Sequence, residues 1–327
     1  MIPTRRLGAT GLAVSEVSFG TWALGGDWGD VSEADGIAGI EAALGAGVNL
    51  FDTADVYGRG RAEELLGRVV GDRPEIMVAT KFCRWDDFRD PATYEERRVR
   101  GYCEQSLKRL RRDAVDLYQV HCPPTQVIER GDVFEVLRTL QREGKVRHFG
   151  VSVETAAQGR LALEHEGVAT LQVIFNLFRQ NLVDELFPHS EAAGVGILAR
   201  VPLASGLLSG KFTRQSSFTA DDHRNYNREG DAFNVGETFA GVPFELGVEL
   251  ADELRWIGEG RGTMAAAALR WVLDHPAVSA VIPGFKNVRQ VEQNLAAAQP
   301  RPFSPDELER LAAFFEDHVR PHVRGEM

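Results

Sequence analysis

The sequence predicts an α/β fold, a (β/α)8 TIM barrel with a short N-terminal β-hairpin and a C-terminal helix, in one domain over residues 1–327. Three observations predict it. Eight short apolar runs of strand composition, near residues 19, 48, 76, 115, 146, 170, 195 and 278, alternate with helix-like segments. Strands separated by helices pair in parallel through crossover units, and eight such units imply a closed barrel. The 327 residues suit one barrel of this kind, and no linker, repeat or low-complexity tract divides them.

Each element has its own signal. Residues 4–18, TRRLGATGLAVSEVS, alternate around Gly8 and Gly11 and read as the hairpin. The first barrel strand ends in Phe19-Gly20-Thr21-Trp22. A helix over Glu33–Ala46 leads to Val48, Leu50 and Phe51, an apolar run that stops at Asp52 and passes into a loop carrying Tyr57. Residues 61–70 form a helix with Leu65, Leu66, Val69 and Val70 on one face, and IMVAT at 76–80 is the next strand. A charged helix at about 94–112 carries an apolar stripe of Val99, Cys103, Leu107 and Leu110. VDLYQV at 115–120 is a strand, and a helix at about 126–143 turns Phe134, Leu137 and Leu140 inward before Gly144 caps it. Strand-like runs recur at 146–152, 170–175, 195–199 and 278–282. Residues 211–242 break the rhythm, being polar and Gly-rich. A loop this long in a compact domain is disordered or functional, and its position after strand seven puts it over the barrel mouth.

Composition excludes several function classes. Hydrophobic content of 43% and charged content of 26% are those of a soluble globular protein. A formal net charge of -11 argues against nucleic acid and acidic membrane surfaces, because phosphate binding is carried by clustered Lys and Arg. Three cysteines without metal-ligand spacing point to a reduced, cytoplasmic setting and to no metal. The first residues lack the apolar core of a secretory signal, and no apolar run approaches the ~18 residues that span a bilayer.

Barrels of this type place their chemistry at the C-terminal strand ends. Here strand two ends at Asp52, strand three at Lys81 and strand four at His121. Strand five ends in Gly150-Val151-Ser152, strand six runs through Gln172 to Asn176, and strand seven ends at Arg200. Any one of these is ordinary as a surface lysine, a core histidine or a layer filler. Asp, Lys and His on three consecutive strands are not. A free tyrosine titrates near ~10. An adjacent ammonium favours the phenolate, so Lys81 is expected to lower the pKa of Tyr57, with Asp52 pairing and holding Lys81. His121 is placed to orient a carbonyl oxygen. The group is then a proton donor aimed at a carbonyl, and the hydride that completes a reduction must come from a cofactor.

The motifs GVNLFDTADVYG (47–58), VATK (78–81), DLYQVH (116–121), HFGVSV (148–153), LQVIFN (171–176), VPLASGLLSGK (201–211) and IPGFKNVRQVEQN (282–294) make the chain similar to the aldo-keto reductases over essentially its whole length. The resemblance implies a catalytic tetrad of Asp52, Tyr57, Lys81 and His121. It also implies NADPH (NADP+), with NADH as the alternative, bound in extended form, and a small carbonyl or alcohol substrate. It places Ser152 and Gln172 at the carboxamide and Leu203, Ser205, Gly206 and Leu207 along the pyrophosphate, with Pro202 and Lys211 as further cofactor contacts. Gly284, Lys286, Asn287, Gln290 and Asn294 fall at the adenosine end, and Thr21 and Trp22 are further cofactor contacts.

The residues agree with that placement. Loops after strands seven and eight are the usual phosphate site of this barrel. Ser205 and Gly206 are expected to offer a hydroxyl and an open backbone N–H, and Lys286 and Arg289 charge for a 2′-phosphate. Three positions depart from the family pattern: Arg200 stands where an aromatic is common, Val153 where Asn is common, and Gln290 where Arg is frequent. Arg200 is expected beside the nicotinamide or its phosphate, the alternative being a pair with an acid of the 211–242 loop. Trp22, Tyr57 and Trp85 are expected to shape the pocket. Two other readings stand beside reduction: a cofactor-binding regulatory subunit of the same fold, and a Schiff-base aldolase using Lys81.

Overall fold

The structure is a computed structural model that describes residues 2–26, 28–29 and 31–327. Thr4–Arg6 (β1) and Ala13–Ser15 (β2) pair antiparallel, Thr4 opposite Ser15. Eight parallel strands follow: Phe19–Gly20 (β3), Leu50–Asp52 (β4), Met77–Phe82 (β5), Val115–His121 (β6), Val146–Ser152 (β7), Val168–Ile174 (β8), Gly196–Arg200 (β9) and Val278–Val281 (β10). Each of these bonds to the next in chain order, and parallel bridges Val17–Val281 and Gly20–Gly284 close the barrel. The barrel and the hairpin read from the sequence are therefore present.

Alternation along the strands sets the two faces. Outward residues such as Phe51, Val78, Tyr118, Val120, Phe149 and Val151 join one large core with the surrounding helices. Inward residues Leu50, Met77, Ala79, Leu117, Leu198 and Ala280 form a second, smaller core, which Leu7 and Val14 of the hairpin plug from below. Two residues further along the same inward rows come Asp52 after Leu50, Lys81 after Ala79, Gln119 after Leu117 and Arg200 after Leu198. The barrel interior is thus apolar at its base and polar at its C-terminal mouth.

Two elements differ from expectation. The helix read over 126–143 is two helices, Thr125–Arg130 and Asp132–Arg142. Gly131 between them has φ 73°, and a Cβ there would lie 2.5 Å from the His165 ring, so the chain turns where an imidazole packs against it. The 211–242 segment is neither extended nor loose. It carries a short helix, His223–Tyr226, and turns at Val235–Glu237 and Phe239–Gly241, and it lies over the mouth as a lid. Phe218 and Phe239 anchor it against Phe244 at ring separations of 5.5 and 5.0 Å. The chain end returns over it, Arg324 donating to the carbonyls of Gly241 and Arg228 at 3.0 and 2.9 Å. The C-terminal helix Pro305–Phe314 starts on a reciprocal Ser304–Glu307 cap.

Candidate active site

β4 ends at Asp52, and the loop beyond it folds back so that Tyr57 meets the end of β5. The turn at Gly58 lies on Gly25: a Cβ at Gly58 would stand 2.5 Å from the Gly25 carbonyl oxygen. That glycine-to-glycine approach brings the short helix Trp22–Gly25 onto the loop and stacks Trp22 on Tyr57, ring centroids 6.0 Å apart and 20° from parallel.

Lys81 is fully buried, and each ammonium hydrogen has an acceptor. Nζ donates to Asp52 Oδ1 at 2.5 Å, the Thr53 carbonyl at 2.9 Å and the Tyr57 hydroxyl at 3.3 Å. A buried charge is tolerable only when paired and hydrogen-bonded in this way. Asp52 is held in turn, its Oδ2 accepting from Gln172 Nε2 at 2.7 Å and Gln119 Nε2 at 3.2 Å. Gln172 thus spends its amide donor on Asp52.

His121 stands edge-on to Tyr57, centroids 5.9 Å apart and planes at 86°. Burial, then the charges of Lys81, Arg84 and Arg200, hold its imidazole well below the usual histidine range, so it is neutral. Arg84 Nε donates to the His121 carbonyl at 3.0 Å and fixes the backbone there. Tyr57 runs opposite to expectation. Burial and the carboxylates of Asp52 and Glu237 push its hydroxyl well above the usual tyrosine range, with Arg200 opposing. Asp52 offsets the charge of Lys81, and burial disfavours a phenolate outright. Tyr57 is accordingly a neutral phenol.

The structure brings Asp52, Tyr57, Lys81 and His121 into one cluster, with Ser152 near it, its hydroxyl 3.3 Å from Cys122 Sγ. Arg200 takes the alternative anticipated for it: its buried guanidinium pairs with Glu237 of the lid and donates to the Val153 carbonyl at 3.1 Å. The hydroxyl of Ser205 is also spent on the lid, donating to the Glu237 carbonyl at 3.0 Å and accepting from Phe239 N–H at 3.1 Å. The Gly206 N–H donates to the Leu203 carbonyl at 2.9 Å. Neither group is offered outward as the sequence suggested, because the Ala204–Ser209 turn closes on itself and on the lid.

Elsewhere, Thr21 donates to the Asp52 carbonyl at 3.1 Å. Pro202 and Leu207 are buried, Leu203 is half-buried, and Lys211 and Gly284 are exposed. Asn287 caps the helix Val288–Leu295 through the Gln290 N–H, Gln290 accepts from the Lys286 N–H at 2.8 Å, and Asn294 donates to the Gly284 carbonyl at 3.0 Å. Lys286 is half-buried and donates to the Trp28 carbonyl, while Arg289 is exposed. Trp85 is exposed and lies against Arg109, 5.3 Å from ring to guanidinium.

Four residues of the neighbourhood escape a reading of the sequence. Gln119 shares the inward row of His121, two positions on, and strand alternation was a signal for it. Glu237 and Arg224 come from the lid and gave none. Arg84, three residues past Lys81, sits where a loop residue is easily passed over. Arg224 is chelated by Asp222 at 2.8 and 2.5 Å, and its charge, after burial, lowers the ammonium of Lys286. Cys122, Glu154 and Glu237 bring ligand atoms within 4.8 Å of one another, but Arg200 donates to Cys122 and pairs with Glu237, and Arg84 donates to Glu154. Guanidiniums already occupy the place a cation would take.

The model of the Aldo/keto reductase family matches residues 16–316. The chain belongs to that family. Aldo-keto reductase YhdN of Bacillus subtilis is 33% identical over 289 residues, 86% of this chain and 85% of its own length. A probable voltage-gated potassium channel subunit beta of Oryza sativa is 31% identical over 331 residues, covering 94% of this chain and 95% of its own. Among solved structures, the glycerol dehydrogenase AKR11B4 of Gluconobacter oxydans superposes with a TM-score of 0.78 at 32% identity, over 97% of this chain and 96% of that one. An aldo/keto reductase of Klebsiella pneumoniae in complex with NADP and acetate gives 0.70 at 25% identity, over all of both chains. As an aldo-keto reductase the chain is an NAD(P)H-dependent oxidoreductase.

Proposed function

We propose that this aldo-keto reductase uses NADPH to reduce the carbonyl of an aldehyde or ketone, reversibly, with Tyr57 as the proton donor. One observation carries the reading: a fully bonded, buried ammonium at Lys81 lies 3.3 Å from a phenol that also faces a neutral imidazole edge-on. This is a donor and its two supports with no other evident use.

The residues fit the cofactor in part. Lys286 is half-buried and donates to the Trp28 carbonyl, and among the described residues no carboxylate pairs with its ammonium, which leaves its charge for a phosphate. Ser152 lies beside the tetrad for an amide, and Gln172, its Nε2 taken by Asp52, has only its Oε1 left for one. Ser205 does not fit in this arrangement of the lid. When bound, the reduced nicotinamide supplies a hydride. The chain's own residues supply the rest: His121 is placed to donate to the carbonyl oxygen and orient it. Tyr57 transfers its proton to that oxygen as the carbon accepts the hydride, leaving an alcohol and a phenolate. Lys81, 3.3 Å away, stabilises the phenolate until a proton from solvent restores it. Asp52, Gln119 and Gln172 keep Lys81 in place.

An imine at Lys81 finds no support, since an ammonium donating to three acceptors has no lone pair for attack. A regulatory role is the second reading, because channel subunits are among the relatives. We take the whole chain as one catalytic domain acting in the cytoplasm. Among the described residues no helix is long and apolar enough to cross a membrane. Following the absorbance of NADPH with a panel of aromatic and aliphatic aldehydes tests the reading. Turnover is expected; NADPH binding without turnover of any aldehyde would favour the regulatory subunit.

A further inference from the structure

A cleft of about 600 Å³ opens beside the candidate site, walled by Arg84, Phe88 and Arg89 after β5, Cys122 after β6, Glu154 after β7 and Phe233 of the lid. Its walls are one residue or one contact removed from the reacting groups. Cys122 follows His121 in the chain, and Arg84 is bonded to the His121 carbonyl. Phe233 touches Trp22 at 5.9 Å, and Trp22 stacks on Tyr57.

The charge of this cleft opposes that of the molecule. The chain carries a formal -11. Yet around the cleft four guanidiniums, Arg84, Arg89, Arg179 and Arg200, meet two carboxylates, Glu154 and Glu237. Arg200 takes Glu237. Glu154 lies between Arg84, at 3.4 Å, and the Asn234 amide, at 3.1 Å. Arg179 is 1% exposed and donates only to the main-chain carbonyls of Glu154 and Glu326, at 3.0 and 2.6 Å. Among the described residues neither Arg179 nor Arg89 has an ion pair. Neither of these two guanidiniums is held directly by a carboxylate.

Of the acids of the neighbouring loop, Asp86 is paired with a cation, and Asp87 and Asp90 accept backbone N–H groups without pairing with the Arg89 guanidinium among the described residues. Asp86 holds Arg98 and Tyr102, Asp87 accepts from the Arg89 N–H, and Asp90 caps the turn at Pro91. The guanidiniums of Arg84 and of the exposed Arg89 both contact the Phe88 ring, 3.9 and 4.9 Å from its centre, so one aromatic ring at the cleft holds both cations near it. The bonds of Arg84 to His121, Cys122 and Glu154 use its Nε and one terminal nitrogen, leaving the other edge of the guanidinium.

We propose that this cleft recognises the substrate and selects a carbonyl compound bearing an anionic group, a carboxylate or a phosphate ester. The anion meets Arg89 and the remaining edge of Arg84, while the carbonyl faces Tyr57 and His121. A charged acceptor between two guanidiniums forms charge-assisted bonds that a neutral isostere of the same shape cannot form. The proposal rests on the carbonyl-reducing reading of the same site, so its test has an arm that needs no turnover.

That arm compares benzoate with benzamide by calorimetry on the NADP+-loaded protein. Benzoate is expected to bind at least about tenfold more tightly, and Arg89→Glu to abolish or invert the preference. The kinetic arm compares kcat/KM for para-carboxybenzaldehyde with its methyl ester, and for glycolaldehyde phosphate with glycolaldehyde. The acid and the phosphate should each be preferred by about tenfold or more, and whichever shows the larger preference identifies the anion. Equal affinities for benzoate and benzamide, or a preference untouched by Arg89→Glu, would overturn the proposal. Reduction of both members of each pair at equal rates would overturn it too, while leaving carbonyl reduction standing. Preferential benzoate binding without reduction of any aldehyde would do the opposite.

Discussion

Asp55 lies on the loop between Asp52 and Tyr57, and replacing it with Asn gives a prediction whose size follows from its surroundings. Its carboxyl is 1% exposed, and neither oxygen has a hydrogen-bond partner among the described residues. Burial, then the nearby carboxylate of Glu63, raises its pKa from 3.8 to about 8, with Arg109 opposing. In the unfolded chain the group loses its proton near the ordinary value; in the folded chain it keeps it until about pH 8. Between those limits the folded state holds one proton more, so the stability this group contributes is complete at low pH and drains as pH rises. The slope is about 1.4 kcal/mol per pH unit for one proton. Asp55→Asn removes the titration and adds only pH-independent terms. Urea unfolding of both proteins between about pH 5 and about pH 7 should therefore show the variant gaining on the wild type by roughly 3 kcal/mol over that interval. A difference that stays constant with pH would refute the reasoning, because it would mean that Asp55 is ionised in the folded protein at neutral pH.

Three further outcomes follow from the site. Lys81→Met should abolish reduction and leave Asp52 buried without its cation, lowering the stability by about 3 kcal/mol or more, read together by turnover and urea midpoint. Lys286→Ala, alone and with Arg224→Ala, should weaken NADPH more than NADH, since only NADPH carries the additional phosphate; titration of protein fluorescence with each cofactor measures this, and equal losses would contradict it. Glu237→Gln should loosen the lid by removing the partner of the buried Arg200, seen as faster amide exchange over 211–242 and faster cofactor dissociation, whereas unchanged exchange would show that the pair does not hold the lid.

Much of the fold was legible because the local signals agree. Every barrel strand is a short apolar run, and the runs of β4, β5 and β6 end abruptly at Asp52, Lys81 and His121, so sequence alone pointed to one polar rim. What escaped notice depends on distance along the chain. The Arg200–Glu237 pair joins residues 37 positions apart across a segment with no periodicity. Nothing in the string Ala204–Ser209 tells that the Ser205 hydroxyl turns to the lid instead of outward. Gly131 sits in an otherwise helical pattern, where a glycine is tolerated as often as it breaks the helix; the decision was made by the His165 ring, which comes from another element. The direction of the Tyr57 shift was missed for an electrostatic reason. Asp52, expected only to hold Lys81, also offsets its charge at 2.5 Å and repels a phenolate, which leaves burial to decide.

The central claim is that Tyr57 delivers the proton in an NADPH-dependent carbonyl reduction. The most direct measurement is single-turnover oxidation of bound NADPH by an aromatic aldehyde in the wild type and in Tyr57→Phe, with NADPH affinity determined on the same samples. The variant is expected to bind NADPH within a few-fold of the wild type and to transfer hydride at least ~10²-fold more slowly, the scale of lost general acid catalysis. A variant that binds NADPH normally and reduces the aldehyde at close to the wild-type rate would contradict it.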